Sequence, residues 1–143
     1  MTTTEQLTQV FCDNFVAYFR SHAAHVNVVG RNFQSDHVLL EGIYDSLQDQ
    51  IDFIGELLRS LDAYMPCGIQ DVLLDSHIST APIEGTADEL LSQVQLDLEH
   101  LKDCYTELME VASSEGHEEI ANYSQDRILT LAKQIWMLRS TLE

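Results

Sequence analysis

Six residues with metal-binding side chains recur along one segment at spacings of 4, 4, 4, 3 and 4 residues: His37, Glu41, Asp45, Asp49, Asp52 and Glu56. An α-helix with ~3.6 residues per turn confines such a series to an arc of roughly 120°. Like charges at these spacings repel each other and destabilise an isolated helix, which a bound cation would offset. An imidazole with carboxylates suits iron, zinc or manganese. A solvated acidic helix face is the alternative interpretation, and it is the commoner origin of such a pattern.

The length of this segment limits how it can bind metal. Glu41 and Asp52 are eleven residues apart, so a rise of ~1.5 Å per residue separates their Cα atoms by roughly 16 Å. One helix therefore cannot bring both carboxylates to one metal ion or to a close pair of ions. Two copies that run antiparallel across a two-fold axis can, because the His37 end of one copy then faces the Glu56 end of the other. A metal site built from these residues is predicted to be shared between subunits.

Four amphipathic segments supply the framework for these residues. Apolar residues recur every three or four positions in each segment, and no segment alternates as a strand does. Capping boxes begin the first and third helices at Thr2 and Thr86, Pro66 ends the second, and Gly116 ends the third. The predicted helices cover about residues 3–25, 33–65, 87–115 and 118–142.

The connection between the second and third helices is too long for a tight turn. Residues 66–86 contain both prolines of the chain, and Ile69 to Leu74 are predicted to form a short helix there. Four helices with one long crossover have the chain order of an all-α, ferritin-like bundle. We therefore predict a single ferritin-like four-helix domain over residues 1–143. A plain helical interaction module has the same pattern, so the fold does not by itself indicate a function.

The composition excludes several classes of function. The chain has 143 residues, with 7 basic and 24 acidic residues and a net charge of -17, which disfavours nonspecific binding to nucleic acid. No apolar stretch approaches the ~20 residues of a membrane span, and the polar start lacks a secretory signal, so we expect a cytoplasmic protein. Cys12, Cys67 and Cys104 form no CxxC pair, which favours neither a disulfide framework nor a thiolate zinc site.

Several of these residues also occur in a pattern that resembles the Dps-type mini-ferritins. Residues 25 to 28 read His-Val-Asn-Val, Gly30 and Phe33 follow, and a second histidine comes twelve residues after the first. An Asp-x-x-x-Glu pair lies further along, and residues 133–143 resemble the last helix of the family. The family's five ferroxidase ligands fall on His25, His37, Glu41, Asp52 and Glu56.

The resemblance implies a function and an assembly. Family members form hollow shells of twelve subunits, oxidise Fe(II) preferably with hydrogen peroxide, and deposit ferric mineral inside. It also implies a di-iron site at the two-fold interface, with Asp52 and Glu56 from the partner subunit and Glu56 as the bridging ligand. Zinc is a possible substitute for iron there. Iron storage and protection against oxidative damage are the functions that follow from the resemblance.

Three departures from the family pattern bear on this expectation. Glu41 stands where the family usually has Asp, and its longer side chain is expected to reposition or weaken one iron. Val26 replaces a tryptophan beside the first ligand. Val38 and Gly42 occupy positions that are often Glu, so Asp45 and Asp49 would carry mineral nucleation.

Other surfaces of the chain give weaker indications. Glu118, Asn122 and Asp126 match residues that line the three-fold pores of relatives, although acidic residues there also suit a helix N-terminus. No Lys or Arg precedes Arg20, so the basic tail with which many relatives bind DNA has no counterpart. The alternatives to a ferroxidase are a metal-binding shell with weakened or lost activity and a DNA-compacting nucleoid protein, which the charge disfavours. The remaining histidines have no partners at ligand spacing: His22, His77, His100 and His117.

Overall fold

The computed structural model describes residues 1–143 and contains five α-helices and no strand. They are α1 Thr3–Asn27, α2 Phe33–Ser60, α3 Ile69–Asp75, α4 Ala87–Ser114 and α5 Glu118–Leu142. Helix α1 packs against both α2 and α4, α4 packs against α5, and the short α3 lies against α1. The predicted all-α bundle, with a short helix in the long crossover, is confirmed.

Both predicted capping boxes are present. The Thr2 hydroxyl accepts a hydrogen bond from the Glu5 backbone N–H, and the Glu5 carboxylate accepts one from the Thr2 N–H. Thr86 and Glu89 repeat the arrangement at the start of α4. Hydrogen bonds from Thr86 lower the pKa of the Glu89 carboxyl. These side chains satisfy backbone donors that a helix N-terminus otherwise leaves free.

The predicted end of the second helix at residue 65 is wrong. Helix α2 ends at Ser60, and Asp62, two residues later, adopts a φ of 60°. The Ala63 N–H then bonds to the Leu58 carbonyl at 3.0 Å, and the Asp62 N–H bonds to the Arg59 carbonyl at 3.1 Å. This pair of bonds is a Schellman motif, which usually needs glycine at the left-handed position. Aspartate is one of the few other residues that tolerate this conformation, so no glycine marks the end in the sequence.

The apolar stripe predicted on α4 forms the centre of the core. Every one of its residues is buried: Leu90, Val94, Leu98, Leu101, Tyr105, Leu108 and Ala112. The stripe ends at Gly116, whose φ of 82° closes α4 as predicted, with the His117 N–H bonded to the Ala112 carbonyl at 2.8 Å. None of the five helices combines the length and the apolar character that crossing a lipid bilayer requires.

A buried ion pair attaches the crossover to the bundle. The Arg20 guanidinium of α1 lies 2.7 Å from the Asp97 carboxylate of α4, and both side chains are 8% exposed. The same guanidinium donates a hydrogen bond to the Ala81 carbonyl in the crossover at 2.6 Å. Burial raises the pKa of the Asp97 carboxyl, and the charge and hydrogen bond of Arg20 oppose that rise. Three segments distant in sequence therefore meet at one guanidinium.

Candidate metal centre

Two histidines join the end of α1 to the beginning of α2. His25 Nδ1 lies 2.7 Å from the His37 carbonyl oxygen, and His37 Nδ1 lies 2.7 Å from the His25 carbonyl oxygen. The rings stack with centroids 3.7 Å apart at 16°. Because a carbonyl only accepts, each Nδ1 carries the hydrogen, so Nε2 is the ring atom through which each imidazole can bind a metal ion. The arrangement holds two imidazoles in the form that binds a metal ion.

Glu41 completes a group of three donors. It lies one helical turn after His37, and its Oε1 is 4.0 Å from His25 Nε2. One ligand atom from each of the three residues lies within 4.8 Å of the other two. His25 is only 6% exposed, whereas the Glu41 side chain is 59% exposed. The donor set is thus buried on the His25 side and open to solvent on the Glu41 side. Two imidazoles with a carboxylate suit iron or zinc.

Asp52 and Glu56, the other two predicted ligands, lie further along α2 and do not join this group. Both are exposed. A hydrogen bond with Asp52, together with its negative charge, raises the pKa of the Glu56 carboxyl, which lies one helical turn after Asp52. Asp45 and Asp49 are exposed on the helix between the two groups. One chain therefore brings together three of the five predicted ligands at one place and two at another.

Aromatic rings that the sequence analysis did not predict surround the histidine pair. Tyr44 lies 4.9 Å from the His25 ring and stacks on His22 at 3.9 Å and 8°, and the Tyr18 hydroxyl is 2.9 Å from His22 Nδ1. On the other side, the Phe33 ring lies 4.9 Å from His37. These rings pack the imidazoles in place, and they give His22 a packing partner instead of a ligand role.

Several apolar side chains near the candidate metal centre are exposed in the isolated subunit. Four exposed apolar residues are close in sequence to the histidines: Val26, Val29, Phe33 and Val38. An open apolar cavity of about 540 Å³ lies between α1, α3 and the crossover, with Phe15, Phe19, Ile69 and Leu73 among its lining residues. Exposed apolar surface, where it is contiguous, marks a region that contacts another protein or a ligand.

The predicted pore residues lie on the first turns of α5. Glu118, Asn122 and Asp126 are all exposed. The Glu118 carboxylate accepts a hydrogen bond from the Ser113 hydroxyl at 3.3 Å, and it occupies the first helical turn, where a negative charge is favourable. A single chain does not bring these three residues together with another acidic group into a ligand cluster.

The structure brings together two histidines that sequence spacing leaves without partners. His77 and His100 both lie next to the buried carboxylate of Asp13. No helical periodicity links these three residues, because they come from three separate segments of the chain. The single signal for this cluster in the sequence is the residue types themselves.

Comparison with known proteins gives the class to which this fold and donor set correspond. The chain matches the Ferritin-like domain family over residues 4–143. It therefore belongs to the ferritin-like family. The relatives place it more narrowly, since several of them are named Dps or DNA protection during starvation protein. Within the family the chain is a Dps-type mini-ferritin.

Three proteins illustrate the similarity. Antigen TpF1 of Treponema pallidum is 33% identical, with 97% of this chain and 79% of the relative aligned, and its crystal structure superposes with a TM-score of 0.92 over 99% of this chain and 91% of that chain. Helicobacter cinaedi CAIP is 30% identical, with a TM-score of 0.92 over 99% of this chain and all of that one. The Dps of Listeria innocua, at 24% identity and a TM-score of 0.94, covering 99% of this chain and 95% of that one, shares the fold.

Proposed function

We propose that this protein is a ferroxidase that oxidises Fe(II), with hydrogen peroxide as the preferred oxidant, and stores the ferric product inside a cytoplasmic shell of twelve subunits. The observation that carries the proposal is the histidine pair, in which two reciprocal hydrogen bonds leave both Nε2 atoms free beside Glu41. Two imidazoles, each fixed by a backbone acceptor, are what a metal site requires.

The position of the remaining carboxylates supports a site shared between subunits. Asp52 and Glu56 are one helical turn apart, but along α2 they begin roughly 16 Å from Glu41. An antiparallel α2 from a second copy would bring its own carboxylate pair to the histidine end of the first copy. The exposed apolar residues beside the histidines and the apolar cavity at the crossover give such a partner a surface to cover.

Each ligand then has a role in the oxidation. His25, His37 and Glu41 bind one Fe(II), and the partner's carboxylates bind the second, with Glu56 bridging the two ions. Two Fe(II) ions supply the two electrons that reduce one hydrogen peroxide to two water molecules, with the uptake of two protons. Carboxylate oxygens are hard ligands that favour the ferric product, and exposure of the centre on the Glu41 side leaves room for peroxide.

Other acidic residues serve iron before and after oxidation in this proposal. Asp45 and Asp49 are exposed on α2 next to the centre and would nucleate the mineral. Glu118, Asn122 and Asp126 share one face of α5, and copies of this face from three subunits would together form an entry route for Fe(II). Asparagine at the middle position makes that route less negative than three carboxylates would.

One observation favours a second candidate function, a shell that binds zinc or another divalent ion with weakened or no oxidation. The Glu41 carboxylate is 4.0 Å from His25 Nε2 and its side chain is largely exposed, so it is less firmly held than the two imidazoles. A loosely positioned carboxylate weakens the first iron position. Zinc, which needs three protein ligands and one water, would still bind there.

Two measurements separate these functions. We expect absorbance of the ferric product to rise rapidly when Fe(II) and peroxide are added, and more slowly with oxygen alone. Light scattering after size-exclusion chromatography is expected to give the mass of twelve subunits. A stable monomer would contradict the shared site, and an assembled shell without fast oxidation would favour the second function.

We expect no appreciable DNA binding. The net charge of -17 per subunit repels phosphate, and assembly concentrates that charge on one particle. A mobility-shift assay at low salt without divalent metal is expected to leave the DNA unshifted, with a basic DNA-binding protein as the positive control. Tight complexes under these conditions would instead support a nucleoid protein.

A further inference from the structure

The carboxylate of Asp13 on α1 is fully buried but has little positive charge near it. Its Oδ1 accepts hydrogen bonds from the His77 backbone N–H at 2.7 Å and the Ser76 hydroxyl at 3.0 Å. The Gln9 side-chain nitrogen lies 3.3 Å from both carboxylate oxygens. The one basic group within ion-pair distance is His100, whose Nε2 is 3.7 Å from Oδ2. Buried carboxylates are normally paired with a cation or bind a metal ion.

Two imidazoles face this carboxylate from different elements. His100 lies on α4 with its side chain 42% exposed, and His77 is exposed in the crossover after α3. One ligand atom from each of Asp13, His77 and His100 lies within 4.8 Å of the other two. Ligands of a tetrahedral zinc ion with bonds of ~2.0–2.1 Å are roughly 3.4 Å apart. The 3.7 Å between His100 Nε2 and Asp13 Oδ2 is already close to that value. Rotation of the exposed His77 ring would bring its nitrogen to a similar distance.

We propose that Asp13, His77 and His100 form a second metal site, which binds one divalent transition-metal ion per subunit with water in the remaining position. Two imidazoles, one carboxylate and a water molecule are a recurrent ligand set for zinc, and also suit Fe(II). The backbone of the crossover holds Oδ1, so Oδ2 is directed toward the imidazoles. Outer hydrogen bonds that orient a ligating carboxylate are typical of metal sites.

This site is separate from the centre proposed for iron oxidation. Asp13 and His25 are twelve residues apart on α1, so their Cα atoms are roughly 18 Å apart along the helix. The two groups share no residue. The second site therefore does not depend on the ferroxidase proposal, and either proposal can fail without the other.

Zinc binding by the full-length protein tests the site. Metal is first removed with a chelator, and zinc is then titrated in competition with a chromophoric chelator. The variants are His77→Ala and His100→Ala, both at positions with exposed imidazoles, and His117→Ala is the matched control. His117 Nδ1 lies 3.8 Å from the Glu119 carboxylate but belongs to no cluster of three donors.

We expect His77→Ala and His100→Ala each to weaken one zinc equivalent per subunit by about a hundredfold or more, since even outer-shell changes cost 10–100-fold. His117→Ala is expected to bind zinc as the unaltered chain does. Addition of His37→Ala to His77→Ala should remove a further equivalent, which separates this site from the oxidation centre. Unchanged titrations of both variants, or an equal loss in His117→Ala, would overturn the proposal.

Anomalous diffraction at the zinc absorption edge from a zinc-soaked crystal gives a second, independent measurement. A peak is expected between the Asp13 carboxylate and the two imidazoles. The absence of a peak at this position, in a crystal that shows zinc elsewhere, would mean that Asp13 and His100 form only an ion pair, and the proposal would be rejected.

Discussion

Assemblies that contain equal amounts of His37→Ala and Glu56→Ala subunits are expected to recover about a quarter of the wild-type fast oxidation of Fe(II), although neither variant alone oxidises it quickly. In the proposed site, His37 comes from one subunit and Glu56 from its partner. In a mixed pair, one of the two equivalent sites loses both ligands and the other keeps both. Random pairing makes half of the pairs mixed, so about a quarter of the sites are intact.

A second mixture provides the matched control. Wild-type subunits combined with His37→Ala/Glu56→Ala subunits are expected to retain about a quarter of the activity, because only wild-type pairs then have intact sites. If both ligands instead came from the same subunit, this mixture would keep about half of the activity and the first mixture none. Co-expression with two affinity tags yields mixed assemblies, and stopped-flow absorbance measures the rate.

The assembly state must be the same in every sample of this experiment. His37→Ala removes the donor that bonds to the His25 carbonyl, so light scattering has to show that the variant still assembles. Glu110→Ala, at an exposed carboxylate without a side-chain hydrogen bond, serves as the control for lost surface charge. An intact mixed assembly with no recovered oxidation would contradict the shared site.

Arg20→Met is expected to lower the free energy of unfolding by about 3–5 kcal/mol, which is the usual cost of removing one partner from a buried ion pair. Asp97 would remain 8% exposed without its cation, and the Ala81 carbonyl would lose its donor. Urea denaturation at one fixed protein concentration measures the change, since assembly also contributes to stability. Arg31→Met, at an exposed arginine, is the matched control and is expected to change stability little.

The loss in Arg20→Met is expected to depend on pH. Burial already raises the pKa of Asp97, and the variant removes Arg20, the main group that opposes that rise, which leaves the weaker effect of His100. A carboxyl whose folded pKa exceeds its unfolded value destabilises the fold above that pKa, so the loss shrinks as pH falls through it. A second change, Arg20→Met with Asp97→Leu, removes the buried charge and should recover most of the stability. Equal stability of Arg20→Met and Arg31→Met would show that the pair contributes little.

Local sequence signals predicted most of the bundle because they act within a few residues. Apolar spacing placed the helices, and the caps at Thr2, Thr86 and Gly116 rest on hydrogen bonds to residues three to five positions away. The end of α2 was missed for a physical reason. Leu61 and Met65 continue the apolar spacing, but the backbone turns at Asp62, which takes the left-handed conformation without the glycine that usually marks such an end.

The candidate sites also differ in how far local sequence signals predict them. His37 and Glu41 are one helical turn apart, so spacing alone relates them, and the family resemblance added His25. The cluster around Asp13 depends on how the crossover and α4 lie against α1, which no local pattern encodes. The pair of Arg20 and Asp97 was missed because its partners come from different helices. Whether Asp52 and Glu56 meet the histidines depends on a second subunit, and it stays a prediction.

The reciprocal hydrogen bonds between His25 and His37 serve both the candidate metal site and the stability of the subunit. Each imidazole donates a hydrogen bond to the other residue's carbonyl, so a change to either one removes a hydrogen bond between α1 and α2. Loss of one histidine by mutation would therefore weaken the contact between α1 and α2. It would also remove a candidate metal ligand. Selection for a sturdy subunit would by itself preserve the pair, even in a lineage that no longer needed to oxidise iron.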